Sequence, residues 1–158
     1  MPNNTVYFID TSVLVEMLRI PGKSDPHRFE TISNDFAKFQ EQDARFLLPV
    51  TALIETGNFI AQSTGDRHQC ALAFRRLIDQ ALSSNPPWRF SPSLWDEPFV
   101  AALLDGDSTG DGLVNHLSNG TLGTGDMSIL VERDLFKKKT AYKDVRIWTL
   151  DAKLKAYS

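Results

Sequence analysis

The sequence predicts an α/β protein in which a mainly parallel sheet is covered by helices on both faces. Three observations carry this reading. Short apolar runs alternate with longer stretches in which apolar residues recur at helical spacing. Those short runs are apolar throughout rather than at every second residue, the pattern of strands buried on both sides. The chain of 158 residues is 42% hydrophobic, with ten Phe, three Trp and three Tyr. That is enough to build one core, so a single domain over residues 1–158 is expected.

The elements follow in order. VYFID (6–10) is a buried strand that runs into VLVEMLRI (13–20), whose apolar residues keep helical period. After a polar stretch, Phe29, Ile32, Phe36 and Phe39 fall three and four apart and predict an amphipathic helix over FETISNDFAKFQ. RFLLP (45–49) is a second strand, and VTALIETGNFIAQ continues as a helix to Thr64. Asp66 is placed to cap a helix through Ala71, Phe74, Leu77, Ile78 and Leu82, and SSNPPW ends it. WRFSP (88–92) predicts a brief strand and SLWDEPFVAALL a helix, because Pro98 is tolerated only near its first turns. Residues 105–125 hold six of the nine glycines and predict a surface loop with at most one short helix. DMSILVERDLFKKK is then a helix, VRIWTL (145–150) a strand, and DAKLKAY a terminal helix.

Charge and cysteine usage narrow the function classes. The net charge of -3 is unevenly spread: residues 1–131 carry -7 and residues 132–158 carry +4. An acidic majority argues against a general duplex-DNA coat, while the basic end suits a local phosphate-bearing ligand. Cys70 is the single cysteine, so a disulfide scaffold and a Cys-rich zinc site are excluded and a reducing compartment is expected. No window reaches the roughly 18 to 20 apolar residues of a membrane span, and MPNNTVYFID has no basic leader, so the expectation is a cytoplasmic protein without a membrane partner.

Chemistry is sought just past the strand ends, because open parallel sheets bind ligands in the crevice at their carboxyl edge. Asp10 ends the first strand run and Asp151 ends the last. Asp126 opens a helix after a Gly-Thr-Gly turn, and Glu55 lies inside the helix that follows Pro49. Each of Asp10, Asp126 and Asp151 also stands where an N-cap belongs, so singly each reads equally well as a cap. Glu55 has no capping task and reads singly as a residue at the solvated margin of an apolar stripe. Together, four carboxylates would repel one another unless cations sat among them. Oxygen-only ligation without His or Cys favours Mg²⁺, or Mn²⁺, which can activate water against a phosphodiester.

The acids and their contexts resemble the PIN-domain (PilT N-terminus) nucleases, in particular the VapC-type ribonuclease toxins. FIDTSVLV carries the first acid, LLPVTALIETGNF the Glu, GTGDMSILVE the third acid and IWTLDAKL the hydrophobic-Thr-x-Asp pattern of the fourth. Met127 departs from the small residue that commonly follows the third acid, and the 105–125 loop is long. The resemblance implies a three-layer α/β/α sandwich that hydrolyses RNA with Mg²⁺ or Mn²⁺. It implies Asp10, Asp126 and Asp151 as metal ligands, Glu55 completing the catalytic cluster and orienting the attacking water, and Ser12 and Thr149 supporting the ligands. It further implies single-stranded or structured RNA as substrate, a small antitoxin protein as partner and a homodimer. An apolar groove on the helices with Phe29, Phe36 and Phe39 would take the antitoxin.

Other readings are weaker. DGDSTGDG (105–112) starts like a calcium loop, but its twelfth position is His116 where a bidentate Glu is needed. His27, His68 and His116 lie in polar contexts and read as surface residues. The basic runs Lys137 to Lys139, with Lys143, Arg146, Lys153 and Lys155, and Arg67, His68, Arg75 and Arg76 are either solvated helix faces or phosphate-attracting patches. A haloacid-dehalogenase type of phosphatase needs an acid where Ser12 stands. The alternative from another class is a catalytically inactive PIN-like module that binds RNA or protein without cleaving.

Overall fold

The computed structural model describes residues 4–93, 95–106 and 108–158. Leu94, in the segment before the fifth helix, and Asp107, the third position of the calcium-loop reading, lie outside them. The elements are β1 (Val6–Ile9), α1 (Thr11–Met17), α2 (Pro26–Glu41), β2 (Arg45–Leu48), α3 (Val50–Gln62), α4 (Arg67–Ala81) and β3 (Arg89–Phe90). They continue with α5 (Glu97–Asp105), α6 (Leu113–Asn119), α7 (Thr124–Lys139), β4 (Val145–Trp148) and α8 (Ala152–Lys155).

The four strands form one all-parallel sheet in the order β3-β2-β1-β4. The chain steps outward from β1 to β2 to β3 and then returns to lay β4 against the other side of β1. Parallel connections are right-handed, so reversing the direction of travel moves the connecting helices to the opposite face. The two cores show this. Tyr7, Ile9, Phe46, Leu48 and Trp148 pack with Val13, Leu14, Ile32 and Leu77 from α1, α2 and α4. On the other face Val6, Phe8, Leu47, Val145 and Ile147 pack with Phe99, Leu103, Ile129, Leu130 and Leu154 from α5, α7 and α8. The result is a three-layer α/β/α sandwich whose strands bury both faces, which is why their sequences read as unbroken apolar runs.

Local chemistry sets the helix ends. Asp25, Asp66 and Asp96 each accept a backbone N–H three residues on, and Pro98 sits at the second position of α5, where no helical N–H bond is lost. That cap starts α5 at Glu97, later than the 93–104 segment predicted. Helix α3 ends at Gln62, two residues before Thr64, because Ser63 takes an extended backbone. The glycine-rich stretch holds one short helix, α6, and its last two residues belong to α7. Gly106 closes α5 in the left-handed conformation, φ 75°, and an added Cβ would collide with the Asp111 carbonyl.

Candidate active site at the carboxyl edge

The strand order reverses between β1 and β4, and the carboxyl ends of these two strands are the place where a doubly wound sheet binds ligands. Asp10 and Asp151 flank it. Asp10 directly follows β1 and is 3% exposed. Its Oδ2 accepts from Ser12 Oγ at 2.7 Å, Thr149 Oγ1 at 2.8 Å and Ser12 N at 3.3 Å. Ser12 Oγ in turn accepts from Leu150 N at 2.9 Å, and Thr149 Oγ1 from Asp151 N at 3.0 Å. Two hydroxyls thus tie the end of β1 to the end of β4. Asp151 caps α8, its Oδ1 accepting from Lys153 N at 2.8 Å.

Glu55 reaches this edge from the second turn of α3. Thr11, whose side chain is buried at the start of α1, donates to Glu55 Oε2 at 2.8 Å. Oε1 lies against the backbone of Gly125 so closely that a Cβ there would collide with it. A further contact fixes α3 to α7: Ser128 Oγ donates to Gly125 O at 2.7 Å, so its single proton is used and Thr51 Oγ1 donates to it at 2.9 Å.

Asp126 is the third residue of α7. The sequence reading of this aspartate as an N-cap is corrected: Gly123 holds that position and makes no side-chain cap bond. Starting the helix two residues earlier turns Asp126 into the first turn, where the helix dipole favours an anion. Its carboxyl is nevertheless pushed up to about 6, first by burial and then by Asp10, Asp151 and Glu55. All three of the other predicted acids therefore act on this one carboxyl through space. Among the described residues no three His, Cys, Asp or Glu side chains stand close enough to hold one ion directly.

A pattern unites the anchored acids. Asp10, Asp151 and Glu55 each have one oxygen held by protein donors, and among the described residues no donor reaches the other. Orientation is fixed while one acceptor per carboxylate is kept free.

Sequence reasoning missed several residues. Thr11, Thr51, Gly125 and Ser128 act across gaps of 44 residues or more, and no local pattern marks them apart from the position of Thr11 directly after a strand-end acid. His116 is corrected from a surface residue to a buried one at 1% exposure. Thr109 Oγ1 and Thr121 Oγ1 each meet one of its ring nitrogens at 2.7 Å, so the flanking loops satisfy it where its own polar helix gave no sign of burial. Glu132, buried on α7, also escaped notice. Phe36 and Phe39 are largely spent inside the molecule: Phe39 stacks on Tyr7 at 4.2 Å and Phe36 on Trp148 at 6.2 Å. A shallow groove of about 370 Å³ does run past Phe29, Phe36 and Trp88. The Lys137 to Lys139 run ends α7, roughly 16 Å along the helix from Asp126 at 1.5 Å per residue. Lys153, next to Asp151, is nearer and donates to Gly120 O at 2.8 Å.

The fold and these acids thus define an α/β/α sandwich with a carboxylate cluster at the switch point of its sheet. Comparison with known protein families, curated proteins and solved structures finds no match for this chain. No helix among the described residues is long and apolar enough to cross a membrane.

Proposed function

We propose that the chain is a metal-dependent endoribonuclease of the PIN-domain, VapC-like kind, hydrolysing RNA phosphodiester bonds at the cluster of Asp10, Glu55, Asp126 and Asp151. The observation that carries this reading is geometric: Ser12 and Thr149 link Asp10 to the segment of Asp151, and Thr11 holds Glu55 against Gly125, the residue before Asp126, whose carboxyl is pushed up to about 6 by burial and by the three other acids. Such an arrangement is unfavourable by itself and becomes favourable with a cation among the carboxylates. The donor set fits Mg²⁺ or Mn²⁺: it is all oxygen, one acceptor of each anchored acid is free, and these hard ions keep several waters that bridge to carboxylates beyond direct reach.

Asp10, Asp126 and Asp151 would hold the ion, directly or through its waters. When bound, it supplies charge neutralisation for the phosphate and a water acidic enough to attack at neutral pH. The chain's own contribution is orientation. Ser12 and Thr149 fix Asp10 by donating to it, and Thr11 fixes Glu55 with its free oxygen over Gly125, placed to accept a proton from water. Ser12 and Ser128 spend their protons on Asp10 and on the Gly125 carbonyl, and with no Cys or His beside the four acids among the described residues water is the attacking group. The same resemblance gives the protein a small antitoxin and a second copy of itself as partners.

The test is a labelled single-stranded RNA incubated with Mn²⁺, Mg²⁺ or EDTA. Cleavage is expected with either metal, none with EDTA, and none from folded Asp10→Asn or Asp126→Asn variants. Cleavage that survives EDTA would reject the mechanism. RNA left intact under every metal condition would favour the non-cleaving binding module.

A further inference from the structure

The strand order leaves β4 at an edge of the sheet. Val6 N donates to Asp144 O and Asp10 N to Trp148 O, and the parallel register alternates from there. The backbone groups of Asp144, Arg146 and Trp148 therefore face β1, and those of Val145 and Ile147 face outward with no strand beside them among the described residues. Residues from both helical layers line the space beside this edge. On one side α2 presents Thr31, Asp35 and Phe39, spaced by four and so on one face; on the other α7 presents Arg133 and Lys137, with Lys155 at the end of α8. Edge and walls enclose a slot of about 680 Å³. At the strand spacing of 4.7–4.9 Å, the sandwich here has its outer layers but lacks a middle one. Trp148 lines the slot, and its buried indole N–H has no acceptor among the described residues.

We propose that this slot takes one extended segment of a partner polypeptide, added to β4 as a fifth strand. Backbone pairing with Val145 and Ile147 gives affinity, and the walls give selectivity. Arg133 pairs with Asp134 and Arg146 with Asp144, whereas Lys137, Lys155 and Asp35 have no ion pair among the described residues. Side chains of a strand alternate between faces. The segment that fits carries acidic residues at alternate positions, toward Lys137 and Lys155, and apolar or basic residues between them, toward Phe39 and Asp35. A second copy of this chain is the competing occupant, and the experiment separates the two.

The experiment selects peptides from a random display library against the folded chain and reads amide hydrogen exchange with each enriched peptide. The expected peptides alternate acidic residues and slow exchange of the Ile147 amide by about tenfold or more. They bind a Lys137→Glu, Lys155→Glu double variant about tenfold more weakly and a Lys38→Glu control equally well. Failure to enrich any peptide, or enriched peptides that leave Ile147 unprotected, would overturn the proposal. So would Ile147 protection that needs no peptide and rises with protein concentration, which would make a second copy the occupant.

Discussion

Three donors meet on one oxygen of Asp10, whereas Glu132 has a single hydrogen bond, from Ser91 Oγ at 3.2 Å. The other Glu132 oxygen is buried without a partner among the described residues. Burial pushes this carboxyl from 4.5 up to about 7, and the Ser91 bond offsets only part of that. The sign of the consequence follows from linkage. The folded chain keeps a proton that the unfolded chain releases above about 4.5, so stability is full below that pH, falls as pH rises to about 7, and is level beyond. The whole effect is on the order of 3 to 4 kcal/mol at 1.36 kcal/mol per unit. Denaturant unfolding of Glu132→Gln beside the wild type is expected to show the variant gaining relative stability between pH 5 and pH 8. A constant difference would show that Glu132 does not titrate there. Asp126 gives a second pH dependence at the same scale. Protonated below about 6, it competes with a cation, so Mn²⁺ affinity is expected to fall about tenfold from pH 7 to pH 5, and Asp126→Asn is expected to flatten that slope.

At the scale of elements, the contact between α3 and α7 sets Glu55. An added methyl at Gly125 meets the end of the Glu55 side chain, which can swing away, so Gly125→Ala is expected to cost less than about 1 kcal/mol of stability while abolishing RNA cleavage. Thr11→Val tests the other anchor and is expected to lower activity through Glu55 without unfolding the protein. Gly106→Ala has the opposite profile: a left-handed backbone and a collision with the Asp111 carbonyl predict a loss of about 2 kcal/mol or more, with the acid cluster untouched. Asp10 and Asp151 were legible in the sequence because each directly follows a strand run, and strand ends of a parallel sheet share an edge. Glu55 and Asp126 were legible as helix positions, but their meeting point depends on how α3 packs on α7. Thr11, Gly125 and Ser128 were not legible, since each owes its role to a partner far along the chain. His116 was misread for the same reason: burial is a property of what the loops bring to it, and the segment around it is polar.

For the whole molecule, the order β3-β2-β1-β4 produces the site, because it is the return of the chain to β1 that brings Asp151 beside Asp10. Helix alternation in the sequence predicted the sheet and its two covered faces. It could not show where the order reverses, since that depends on which edge β4 joins. The same return leaves the outer side of β4 without a paired strand among the described residues, so one topological event accounts for both the meeting of Asp10 with Asp151 and the slot beside β4. In the proposed site, acids from four separate segments share one cation pocket. Mn²⁺ broadens NMR signals of nearby nuclei, so a titration of the labelled protein tests it directly. Amide signals of Thr11, Glu55, Asp126 and Asp151 are expected to fade together at low Mn²⁺ and to be spared in Asp126→Asn. Fading confined to one of these segments, or centred on acids elsewhere on the surface, would rule out a shared pocket.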